Sequence, residues 1–204
     1  MAFNNQGGSS SQAFTSSSFP NYGSPSNVDH RATNPQFDIL EWYPQFQSCH
    51  RYFLDVAQHT GPVQALAAFY QAWQHEELVV DKWFMLQATS ALPGTLDQCR
   101  ALLGHPAFAL KNPNRARSVI SSFASANPLH FHERSGAGYA FLADQVIALD
   151  PINPSMAARF VQPLGTWRRQ DPARQALMKQ ALDRVLAVEG LSKGTYEMAS
   201  KSLA

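Results

Sequence analysis

The sequence predicts an all-α protein: a solenoid-like stack of about eight short helices, a HEAT- or armadillo-like superhelix, preceded by a disordered tail. Three observations carry this reading. From Pro62 onward the apolar side chains recur with the period of a helix face. Asn-Pro and Asp-Pro pairs at Asn112, Asn153 and Asp171 mark helix starts. There the side-chain oxygen accepts from free N–H groups of the first turn, and proline at the next position has no N–H to leave unbonded. No run alternates apolar and polar residues as a half-buried strand does.

Residues 1–35 form the expected tail. Met1 to Val28 holds no charged side chain and is mostly Ser, Asn, Gly and Gln, with Phe3, Phe14, Phe19 and Tyr22 dotted through it. Such a stretch cannot bury enough apolar area to offset about 1–2 kcal/mol of backbone entropy per residue. Residues 36–61 are dense in Phe37, Trp42, Tyr43, Phe46, Tyr52 and Phe53, with Pro44 interrupting them. They read as an aromatic-rich linker or covering segment over the first helix, with a short helix feasible at 48–59.

The helical domain spans 62–204. Its first helix shows a face of Val63, Leu66, Ala67, Tyr70 and Trp73, and its second a wide one of Val79, Val80, Trp83, Phe84 and Leu86. Thr95 and Gln98 have capping-box spacing ahead of Cys99, Leu102 and Leu103. Asn112-Pro113 opens a helix carrying Ala116, Val119, Ile120 and Phe123. Tyr139, Leu142, Ala143, Val146 and Leu149 make another. Asn153-Pro154 leads into Met156, Ala157, Phe160, Val161 and Leu164, and Asp171-Pro172 into Met178, Ala181, Leu182, Val185 and Leu186. Ser192 starts the last helix, with Tyr196, Ala199 and Leu203 on one side. Asn112 and Asn153 are separated by the length of one HEAT or armadillo helical unit (roughly 40–47 residues). A closed helical bundle is the alternative architecture.

Composition narrows the function. Sixteen basic residues against fifteen acidic ones leave a net charge of +1, and the basic residues are scattered, so no stripe attracts nucleic acid. No apolar run approaches the roughly 18 residues of a membrane span, and no leader pattern stands at the start, so a cytoplasmic location is expected. Cys49 and Cys99 form no CxxC pair and fit a reducing compartment.

Chemistry is sparse. A helical zinc hydrolase needs His-Glu-x-x-His, which sets two imidazoles on one helix face beside a carboxylate. After His75-Glu76 the fourth place is Val79, and after His132-Glu133 it is Gly136, so neither pair works. His130, His132 and His105 could collect a metal only if folding gathers them, and loop carbonyls or water are the simpler partners. No metal site is assigned. Gly136-Ala137-Gly138 lacks the third glycine of GxGxxG, since Phe141 stands there, and close packing of a helix start explains it better than a phosphate cradle. No G-x-S-x-G occurs, and no catalytic residue is assigned.

Several strings resemble the C-terminal helical domain of bacterial aminopeptidase N (alanyl aminopeptidase). They include Ala65-Leu66-Ala67-Ala68-Phe69-Tyr70, Asp81-Lys82-Trp83-Phe84, Asn112-Pro113-Asn114-Arg115-Ala116-Arg117-Ser118, Gly136-Ala137-Gly138-Tyr139, Trp167-Arg168-Arg169 and the final Lys201-Ser202-Leu203-Ala204. The resemblance implies a domain that closes over the active site of a zinc metallopeptidase and walls an internal peptide cavity. It also implies that the zinc and the catalytic residues belong to another domain, so that no cofactor is bound by this chain. Arg159 first, and Arg117 second, stand where the family tends to keep arginine, and either could pair with a substrate carboxylate or carbonyl. A structural role tying adjacent helices is the competing reading. Ser135 and Ala137 depart from the family pattern, where an acidic residue and a serine are expected.

Residues 1 to about 60 do not resemble the family. The expectation is therefore a truncated or stand-alone chain, inactive alone, whose partner is an aminopeptidase catalytic portion or a peptide. The alternative is an independent α-solenoid scaffold binding peptides or proteins.

Overall fold

A computed structural model describes residues 62–204; the tail, the aromatic-rich segment and Cys49 lie outside the described residues. Within them the chain is helical throughout and no strand occurs. The helices are α1 (Pro62–Trp73), α2 (Glu77–Ala88), α3 (Thr95–Leu103), α4 (Pro113–Ala116), α5 (Ser122–Ala126), α6 (Pro128–Phe131), α7 (Ala137–Leu149), α8 (Pro154–Phe160), α9 (Pro172–Leu186) and α10 (Lys193–Leu203). A π-helical turn, Arg117–Ser121, joins α4 to α5, and a 3-10 helix, Gln162–Arg169, follows α8.

Packing runs between neighbours in order, as a stack requires. An N-terminal layer joins α1 to α2, and α2 to α3 and the π turn. A C-terminal layer joins α7, α8, the 3-10 helix, α9 and α10, and α6 bridges α5 to α7. One continuous apolar core passes through both layers.

The Asx-Pro starts act as caps. Asn112 Oδ1 accepts from the N–H of Asn114 and Arg115, Asn153 from Met156, and Asp171 from Ala173 and Arg174. Ser192 accepts from the Thr195 N–H. A fourth Asx-Pro start went unread in the sequence. Asn127 is 3% exposed, its Oδ1 accepts from the His130 N–H, and its Nδ2 donates to the carbonyls of Ala88 and Ser90 at 3.0 and 2.9 Å. One amide thus closes the end of α2 and opens α6.

Four local expectations are corrected. The Thr95/Gln98 capping box does not form: Gly94, at φ 81°, is the N-cap, Thr95 Oγ1 donates to the carbonyls of Ser90 and Leu92, and Gln98 donates to Gln87. The buried stripe of α1 is Ala65, Phe69 and Trp73, while Val63 and Ala67 face solvent. Among the described elements α1 packs chiefly on α2, so a narrower stripe suffices. On α2 it is Gln87 that is buried and Leu86 that is exposed; Gln87 bonds the Trp83 carbonyl. On α10 Thr195 and Ala199 are buried and Tyr196 is 55% exposed, because Thr195 is drawn inward by the Asp150 carboxylate.

The glycine stretch does serve close packing. A Cβ on Gly138 would stand 2.5 Å from the Phe131 carbonyl oxygen, so only glycine lets α7 seat against the end of α6. Gly136, at φ 69°, caps α7 in the left-handed region and rests on Leu177.

Candidate functional site

At the junction of the two layers lies an open groove of about 460 Å3. One bank is the π turn with α5, the other α8 with the 3-10 helix, and α6 and α7 close the end. Its floor is apolar, made by Phe131, Leu142, Met156 and Phe160, all buried. Ser121, Ser125, Gln162 and Thr166 supply neutral polar groups at the sides. Arg117 and Arg159 stand on opposite banks, and among the described residues no acidic side chain lines the groove.

Local structure presents these groups. A π turn inserts one extra residue into a helical run, an irregularity often found at functional sites. Here it carries both Arg117 and Ser121 to the groove. The Ser122 hydroxyl donates to the Arg117 carbonyl at 3.2 Å, five residues back, which holds the wider turn. On the other bank, the Asn153 cap sets the start of α8, and Arg159 sits in its last turn where a cation is favoured.

Among the described residues neither arginine ties helices together. Arg159 is exposed, and its side chain makes no hydrogen bond or ion pair among the described residues. Arg117 Nη1 makes only a 3.4 Å hydrogen bond to Asn114 Oδ1, one turn back. The buried structural cation is instead Arg115, 3.0 Å from Asp81 and over the Phe84 ring. Both sequence-assigned residues therefore border one groove, with no acidic partner among the described residues. The rest of the lining was not assigned from the sequence. Leu142, Met156 and Phe160 read there as ordinary core, Phe131 is given no structural role, and the π turn has no periodicity signal that separates it from a helix.

The histidines do not assemble. His105 is packed among Tyr70, Trp83 and Phe84, with ring centroids 4.9–5.5 Å away, and its Nδ1 accepts from the Ala107 N–H. His130 Nε2 is buried without a partner among the described residues. His132 borders the groove, and its Nδ1 lies 2.9 Å from Tyr139 Oη. Among the described residues no group of three or more His, Cys, Asp or Glu is placed to hold a metal ion. Cys99 is fully buried, and burial pushes its thiol up to about 12. No described helix is long and apolar enough to cross a membrane.

This helical stack is a domain of the armadillo-repeat class. Residues 53–204 match the family described as "Domain of unknown function (DUF3458_C) ARM repeats", and the chain belongs to that family. The match begins ahead of α1, inside the aromatic-rich segment. More particularly, the domain is of the type found at the C-terminus of aminopeptidase N. The chain is 49% identical over 140 residues to aminopeptidase N of Caulobacter vibrioides, covering 69% of this chain and 16% of that protein. It is 49% identical over 138 residues to aminopeptidase N of Haemophilus influenzae, covering 68% and 16%, and 44% identical over 132 residues to that of Escherichia coli, covering 65% and 15%. Among solved structures it resembles Legionella pneumophila aminopeptidase A in complex with aspartic acid. There the TM-score is 0.68 and the identity 27%, over 80% of this chain and 21% of that one. The chain thus spans about 16% of the length of the first of these relatives.

Proposed function

We propose that this chain supplies the active-site-covering wall of a zinc alanyl aminopeptidase, and that the groove between its two layers is the part of that wall which meets the peptide. One observation carries the reading. Arg117 and Arg159, on separate helical segments, border one groove with an apolar floor and, among the described residues, no acidic neighbour. Such a surface suits an extended peptide: side chains rest on the floor, and carbonyl or carboxylate oxygens meet the guanidinium groups. The chemistry of peptide cleavage is assigned to a partner catalytic portion, which holds the zinc; this chain binds and orients.

The test is a titration of the full chain with tetra-alanine, read by calorimetry or NMR. Binding in the millimolar range or tighter is expected, weakened about tenfold by Arg159→Gln and somewhat less by Arg117→Gln. Binding indifferent to both changes would assign the arginines to solvent and end the reading.

A second reading is an independent scaffold that uses the same groove for peptides or proteins. The solenoid architecture favours it, since stacked helices present extended surfaces for binding. The two readings separate on whether a catalytic portion is bound.

A further inference from the structure

Building on the groove as a peptide wall, we propose that His132 is a third binding group of this site, an imidazole held in its Nε2–H form that donates to a carbonyl or carboxylate oxygen of the bound peptide.

The tautomer follows from Tyr139. Its side chain is 1% exposed, and the only hydrogen-bond partner of its hydroxyl among the described residues is His132 Nδ1, at 2.9 Å. A buried hydroxyl keeps its hydrogen paired. Were Nδ1 to carry the proton, the Tyr139 hydrogen would have no acceptor among the described residues. The Tyr139 O–H therefore donates to Nδ1, and the ring proton sits on Nε2. Burial, and then the nearby Arg174 guanidinium, push the His132 pKa below the usual histidine value, which keeps the ring uncharged.

The free nitrogen is open. Nε2 has no protein partner among the described residues, yet it is not sealed from solvent as His130 Nε2 is, and His132 borders the groove. The residue is fixed from behind. Arg174 Nε donates to the His132 carbonyl at 2.6 Å, and the Phe131 and Tyr139 rings pack on the imidazole at 5.0 and 5.7 Å between centroids. Gly138 makes the arrangement possible by letting α7 approach the Phe131 backbone, which brings Tyr139 beside His132. Arg117, Arg159 and His132 then present donors only, so the complementary ligand group is an oxygen acceptor.

The experiment uses the full chain labelled with 15N at its seven histidines, with His132 assigned as the signal absent from His132→Gln. Near neutral pH, His132 is expected to show a protonated Nε2 and an unprotonated Nδ1. Titration with tetra-alanine is expected to move the Nε2 signal in step with saturation. His132→Phe weakens binding about fivefold, and His132→Gln, which keeps an N–H donor, restores most of it. A protonated Nδ1 in the free protein overturns the proposal. So does tetra-alanine binding that leaves the His132 signals and the affinity of His132→Phe unchanged while Arg159→Gln still weakens it; the groove reading then stands without His132. Failure of the wild-type chain to bind tetra-alanine at millimolar concentration overturns both.

Discussion

Asp150 in the C-terminal layer is buried and Asp81 in the N-terminal layer half-buried, and the two behave in opposite ways. In the C-terminal layer Asp150 is 5% exposed and accepts from the Ser192 N–H at 2.8 Å, the Ser192 hydroxyl at 2.6 Å and the Thr195 hydroxyl at 2.5 Å. Burial alone would raise its pKa, but those donors together hold it below the usual carboxylate value. In the N-terminal layer Asp81 has a full cation, Arg115, at 3.0 Å, but the contact lacks hydrogen-bond alignment at both atoms. Burial prevails there, and the Asp81 pKa is raised despite Arg115. Aimed donors stabilise a buried carboxylate more than a misaligned charge does.

Removing the aimed donors' acceptor has the largest expected effect. Asp150→Ala removes the shared acceptor of the Ser192 N–H and of the Ser192 and Thr195 hydroxyls, between α7 and α10, and is expected to cost about 3 kcal/mol, read as a lower urea midpoint with an unchanged slope. Gly138→Ala sets a methyl group against a backbone oxygen that cannot swing away, and about 2 kcal/mol is expected in the same assay. Asp81→Asn keeps the shape and removes a charge that burial disfavours. It is expected to change stability by less than about 1 kcal/mol, of either sign, since Arg115 loses its counter-charge in the same step.

The two aspartates also separate by pH. A lowered folded pKa means that Asp150 stabilises the fold fully above the unfolded value of about 3.9 and loses that contribution as pH falls through its folded value. The raised pKa of Asp81 acts with the opposite sign. Its penalty is present above its folded pKa and is relieved as pH falls toward about 3.9. The difference in unfolding free energy between wild type and Asp81→Asn should therefore change above pH ~4, and that between wild type and Asp150→Asn below it. Coincident windows would break the comparison.

These contrasts show where the sequence was legible. Asn112, Asn153, Asp171 and Ser192 could be read as helix starts because a cap is a local device, complete within four residues. Asp150-Pro151 has the same letters, yet Asp150 ends α7, and its oxygens are committed to Ser192 and Thr195 on a distant helix. Asn127 was missed for the converse reason: its helix has one turn, too short for any periodicity to announce it. The faces of the π turn, α7 and α8, packed on both sides, followed the apolar pattern. Those of α1 and α10 did not: among the described elements α1 packs chiefly on α2, and on α10 the Asp150 carboxylate draws Thr195 inward in place of Tyr196. The groove was legible only in Arg117 and Arg159, through a family resemblance. His132 was visible as a residue but not in its role, since Tyr139 and Arg174 reach it only after α7 and α9 have packed.

The most direct test of the proposed role is reconstitution. The purified chain is mixed with an aminopeptidase N catalytic portion lacking its own helical domain, and alanyl-naphthylamide hydrolysis is followed with the pair and with each part alone. A wall that completes the active site predicts association at micromolar concentration and a gain in hydrolysis with the pair. No association at that concentration, or zinc-dependent hydrolysis by this chain alone, would contradict it.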